Sequence, residues 1–191
     1  MNLFLPPDVS DRLMLALAPP PAVANLMALA AEQVRAASGL HARVRPREQL
    51  NLVLQSLGDH AGLRRDIVSM TAGAAASVAP PGPIELCFDV AETRMTAPGR
   101  FDLVLKSSAY SQALEAFQKA LGLAMAREGL GRLVDQRFEP HILVIENVKS
   151  GPNVAISPIH WSATSFSLLH ALLGRHQHVP LARWSLEPQQ P

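Results

Sequence analysis

Pro80-Pro81-Gly82-Pro83 places the tightest constraint on the fold, because three prolines in four residues end any helix or interior strand that reaches them. On each side of this break the chain runs through a helical pattern, a loop and a strand-like apolar segment. Before it, Val23, Leu26, Met27, Ala30 and Val34 recur at the i, i+3, i+4 spacing of an amphipathic helix, and Ser38-Gly39 supplies a left-handed cap. Ala42 to Arg45 is short and extended, and Pro46-Arg47-Glu48-Gln49 reads as a turn into the strand Leu50 to Gly58. After the break, Leu114, Phe117, Leu121 and Met125 keep helical spacing, the Gly129/Gly131 loop follows, and Phe138 to Val144 is strand-like.

The remaining segments fill in an irregular order. Asn2 to Leu5 reads as a first strand closed by Pro6-Pro7, with Asp8 placed to cap a short helix over Leu13 to Ala18 that Pro19-Pro20-Pro21 breaks. Leu63, Ile67, Met70, Ala74 and Val78 mark another helix, and Ile84 to Val90 and Phe101 to Lys106 predict two adjacent strands. Ser165 to Leu173 predicts a strand, with weaker extended segments at Ile156 to Trp161 and Val179 to Trp184. Without a regular βαβα alternation, this order points to an α+β fold with antiparallel sheets.

Composition excludes several functions. The formal net charge of +1 argues against a nonspecific RNA coat, since any nucleic-acid contact has to come from a local basic patch. Cys87 has no cysteine partner, which fits a reducing compartment. No apolar run approaches the roughly 20 residues of a membrane span, and Asp8 and Asp11 before the first apolar stretch do not suit a signal peptide, so a cytoplasmic location is expected. His176-x-His178 has chelating spacing but no Cys or carboxylate beside it, and reads as a polar turn with no metal. A triphosphate-binding glycine loop, a His-Glu-x-x-His helix and a Gly-x-Ser-x-Gly elbow are all absent from the sequence.

Alternation puts Asn51, Val53, Gln55 and Leu57 on one face of their strand, and His141, Leu143, Ile145 and Asn147 on one face of theirs. These two segments resemble the signature strands of the 2H phosphoesterases, the 2'-5' RNA ligase-like RNA cyclic phosphodiesterases. Arg100 to Leu105, Leu114 to Leu121 and Phe138-x-Pro140-His141 resemble the second half of that family, and Trp161 through Phe166 to Leu186 resembles its last strands. The likeness spans nearly the whole chain through hydrophobic patterns. It implies one domain over residues 1–191, bilobal, with two pseudo-symmetric halves whose antiparallel sheets face a central groove with helices outside.

The resemblance also implies a site in which each signature strand carries His-x-Thr/Ser. Two facing imidazoles then divide the acid and base roles in opening a 2',3'-cyclic phosphate, the hydroxyls donate to phosphate oxygens, and neither metal nor other cofactor is needed. Here the pairs are Asn51-x-Val53 and His141-x-Leu143. Loss of one acid or base lowers a rate by ~10²–10⁴-fold. Each hydrogen bond lost to a charged group is worth roughly 1.5–3 kcal/mol. The expected member is therefore a degenerate hydrolase of weak or absent activity, with His141 as its catalytic residue. Asn51, Val53, Leu143 and Arg137 are its substrate-binding positions, the two apolar ones by packing, and the expected partner is an RNA end or nucleotide with a 2',3'-cyclic phosphate. A noncatalytic RNA- or nucleotide-binding module and an interaction scaffold are the alternatives. His41 lies close enough in sequence to approach the groove, His60 is a poor replacement for the missing histidine, and Arg132 is a phosphate contact of the same kind as Arg137. An extended backbone puts Arg43, Arg45 and Arg47 on one face, where they could meet RNA phosphates, and the favoured reading is a charged sheet edge. Glu146 stands where the family often has a basic residue.

Overall fold

The apolar run expected to be a short helix is a strand, β1, Asp11–Leu17. Leu13, Leu15 and Leu17 are fully buried on its core side, while Met14 and Ala16 join Leu169 and Ala171 in a small apolar cluster on the other. A strand covered on both faces shows no alternation that would separate it from a buried helical turn. The computed structural model describes residues 9–188 apart from Tyr110, Lys149 and His176. The strand expected at Asn2 to Leu5 and the cap at Asp8 lie outside the described residues.

The triple proline starts a helix as well as ending β1. Pro20 is the N-cap and Pro21 the first residue of α1, Pro21–Ala37, where a missing N–H matters least. The chain continues through β2 (Leu52–His60), α2 (Arg65–Ser77), β3 (Ile84–Ala97), β4 (Arg100–Lys106) and α3 (Gln112–Met125). It ends with β5 (Ile142–Val148), β6 (Asn153–Ala163), β7 (Ser165–Leu172) and β8 (Gln177–Ser185). Met27 of α1, Ala74 of α2 and Leu114 of α3 pack into one core with the apolar face of the sheet.

The fold is α+β with an antiparallel sheet, as expected, but the described strands form one eight-stranded sheet, ordered β6-β3-β4-β5-β2-β1-β7-β8. Its middle is a seam, because β2 and β5 pair only through Leu52 and Ile142. The four strands on either side do not follow the division at Pro80, since β7 and β8 return to join β1 and β2. Both edge strands carry a proline at a register shift, Pro158 in β6 and Pro180 in β8.

Alternation fails at two points in each signature strand, and the first of them sets the groove face. β2 slips against β1 between Gln55 and Val53, and β5 slips against β4 between Ile145 and Leu143, so Leu54 and Val144 are the extra residues of two bulges. Each bulge reverses the faces that follow. Gln55, Leu57 and Ile145 turn into the core at 0% exposure, and Ser56 and Glu146 take the outward positions instead.

Gln55 is satisfied there by a buried amide network. Its Oε1 accepts from Asp135 N at 2.8 Å, its Nε2 donates to Gln118 O at 3.3 Å, and Gln118 Nε2 donates to Asp135 O at 2.9 Å. A Cβ on Gly122 would stand 2.8 Å from Val134 Cγ1, so glycine lets α3 close on this network. Gln55→Leu keeps the volume but strands the Asp135 N–H. Urea denaturation should show a loss of about 1–3 kcal/mol with an unchanged slope.

Candidate functional site

The Leu52–Ile142 pair sets the two signature segments side by side. Ile142 also faces Leu105 of β4, so Asn51 falls beside Leu143, and Val53 beside His141, all on the sheet face opposite Leu52 and Ile142. Asn51, Val53 and Leu143 line a groove of about 750 Å³. His141 does not line it and stands at its margin.

His141 is held by its own loop. Its Nδ1 lies 2.7 Å from the carbonyl of Glu139, a contact that requires the proton on Nδ1 and leaves the lone pair on Nε2. Arg94 Nη1 is 3.0 Å from the same Nδ1 but can only donate, so it competes with the shorter carbonyl contact for that atom, and the Arg94 guanidinium is held instead by its pair with Glu139. Burial, partly offset by the Glu139 carbonyl, and then the Arg94 charge hold the imidazole below its ordinary pKa. On the β4 side Lys106 falls beside His141 by register and pairs with Glu92. The ring is therefore a neutral base candidate beside two cations that already have carboxylate partners.

The other end of the groove is built by residues that sequence reading placed elsewhere. Arg12 projects from β1 and holds Asp59 through both carboxylate oxygens, at 2.6 and 2.8 Å, which keeps the Asp59 carboxyl below the usual range. Arg45 is not an edge residue. Its N–H donates to Val144 O at 2.8 Å and Val44 bridges Ile145, so the short extended segment is stitched onto β5 and turns the side chain inward. There Arg45 Nη1 donates to Glu146 at 2.5 Å and Nη2 to Gln49 Oε1 at 3.1 Å, while buried Nε has no partner among the described residues. A basic group thus meets Glu146 from another segment.

His178 is the largest departure from expectation. It is the second residue of β8, following Gln177, rather than part of a polar turn, and it lines the groove, with Nδ1 3.0 Å from Asn51 Nδ2. His176 lies outside the described residues. Burial first, then the charges of Arg45 and Arg12, push the His178 pKa down to about 4. No spacing rule connects positions 51 and 178; they meet because the sheet curls until its last strand approaches the start of β2.

The other expected residues lie apart. Arg137, Arg43, Arg47 and Arg132 are exposed and do not line the groove, nor does exposed His41, and His60 contacts the Leu57 carbonyl at 2.9 Å. Among the described residues no group of three or more His, Cys, Asp or Glu side chains is placed to hold a metal ion. No helix is long and apolar enough to cross a membrane among the described residues.

This architecture matches solved structures over nearly its full length. E. coli LigT complexed with 3'-AMP superposes with a TM-score of 0.66 at 19% identity, over 93% of this chain and 98% of that one. A phosphoesterase superposes at 0.70 with 21% identity, over 93% and 99% of the two chains. The chain has the LigT fold. A Thermus thermophilus protein gives 0.69 at 21% identity, over 94% of this chain and 100% of that one. No protein-family model and no curated protein matches the sequence.

Within this LigT fold the groove's electrostatics are measurable at His178. An NMR titration should place its midpoint near 4, and Arg45→Gln should move it upward, because Arg45 opposes the imidazolium. A midpoint at the ordinary value of about 6.5 would show that the ring does not sit between the two arginines.

Proposed function

We propose that the groove receives a nucleotide or an RNA end bearing a phosphate, the 2',3'-cyclic end being the substrate expected from the 2H resemblance, and that hydrolysis there is weak or absent. The observation that carries this reading is the seam register, which puts Asn51, Val53, His141 and Leu143 on one face of the sheet, the first two and Leu143 lining the groove and His141 at its margin, in a fold shared with LigT. LigT has been crystallised with 3'-AMP, NADP+ and ATP, which supports a nucleotide as the class of ligand.

The chemistry favours binding over turnover. Opening a cyclic phosphate needs one group to take a proton from water and another to give one to the leaving oxygen. Among the signature positions only His141 can exchange a proton near neutral pH, and the apolar side chains of Val53 and Leu143 have no hydroxyl to offer phosphate. His141 Nε2 is the base, and the groove cations Arg12 and Arg45 supply positive potential for the phosphate.

Assays with 2',3'-cyclic AMP and with RNA carrying a 2',3'-cyclic end should give ligand-dependent thermal stabilisation with slow or undetectable hydrolysis. Any residual turnover should fall by about 10²–10⁴-fold in His141→Ala. Fast hydrolysis abolished by that substitution would sink the weak-activity reading, and an unchanged melting temperature with every nucleotide would remove the binding one.

A further inference from the structure

We infer that His178, oriented by Asn51, is the imidazole that contacts the ligand phosphate in this groove, acting as a neutral N–H donor alongside Arg12 and Arg45. The inference rests on the phosphate-ligand reading above and adds a residue that lies in neither signature strand.

The first support is the hydrogen bond itself. Asn51 Nδ2 donates to His178 Nδ1 at 3.0 Å, so the Nδ1 lone pair is used and the ring proton sits on Nε2. Asn51 therefore does for a distant imidazole what a short polar group does for any ligand-binding histidine: it selects the tautomer and fixes the ring plane. The second is position. Asn51 and His178 both line the groove and also a neighbouring space of about 490 Å³, so the pair forms the partition between the two. His141 has no such exposure to the groove.

The third support is charge. Arg12 and Arg45 line the same end, and burial first, then the charges of Arg45 and Arg12, keep the ring neutral well below pH 7, so Nε2–H is a donor throughout the neutral range. Both guanidiniums are held by carboxylates, Asp59 and Glu146, and Arg45 retains a buried Nε–H without an acceptor among the described residues. A phosphate oxygen accepting from His178 Nε2 would lie among these donors, where charge-assisted hydrogen bonds are strongest. Such a role fits binding and positioning. A ring this hard to protonate does not restore the acid that Asn51 lacks.

The test uses the full chain, 3'-AMP and adenosine. Calorimetry of His178→Ala should show 3'-AMP affinity lower by about ten-fold or more, with adenosine affinity unchanged. His178→Gln, which keeps an N–H donor, should recover part of the loss. In the wild-type protein, 3'-AMP or inorganic phosphate should shift the His178 Nε2 resonance, and adenosine should not. Unchanged 3'-AMP affinity in His178→Ala overturns this inference and leaves the nucleotide reading intact. Equal losses for 3'-AMP and adenosine also overturn it, by showing a general loss of shape. If neither nucleotide nor phosphate binds the wild-type chain, both readings fall.

Discussion

One backbone pair, Leu52 with Ile142, joins the two halves of the sheet, and the geometry of the groove depends on it. So short a ladder contributes little by itself. It is held from the core side by fully buried Leu50, Leu52, Ile142 and Val144, and by the Gln55, Gln118 and Asp135 amides, which tie β2 to α3 and to the loop leading into β5. Apolar burial gives the seam strength, and the directional amides give it a unique register. With that register set, Asn51 and His141 have no freedom to exchange neighbours.

Much of the fold was legible in the sequence because most elements are covered on one face only. The α1 and α3 helices show the 3.6-residue period, and the β3–β4 pair and β7 are bounded by turn residues, so pattern and structure agree. β1 was misread because both of its faces are apolar. The bulges after Val53 and Leu143 were invisible, since one extra residue reverses the side chains up to the next slip without changing composition. The return of β7 and β8 to β1 is a matter of tertiary pairing, which local periodicity does not encode.

The site was legible only in part, and for related reasons. Asn51, Val53 and Leu143 sit where strand alternation puts them, because each precedes its bulge. Arg12 was hidden by the misreading of β1, Arg45 by its resemblance to an edge charge, and His178 by its separation of 127 positions from Asn51. The resulting groove has apolar walls at the motif positions and paired charges at one end. Its cations are held by carboxylates that an anionic ligand has to displace, so affinity there is a difference between two ion pairings rather than the full strength of one.

The prolines of the two edge strands bear on how this protein can associate. An open sheet presents two rows of unpaired amides, each able to template a strand from another molecule. Pro158 and Pro180 interrupt those rows, because each lacks an N–H and each sits where the ladder already slips. Among the described residues both edges are thereby interrupted, which disfavours extending the ladder with a strand from another molecule.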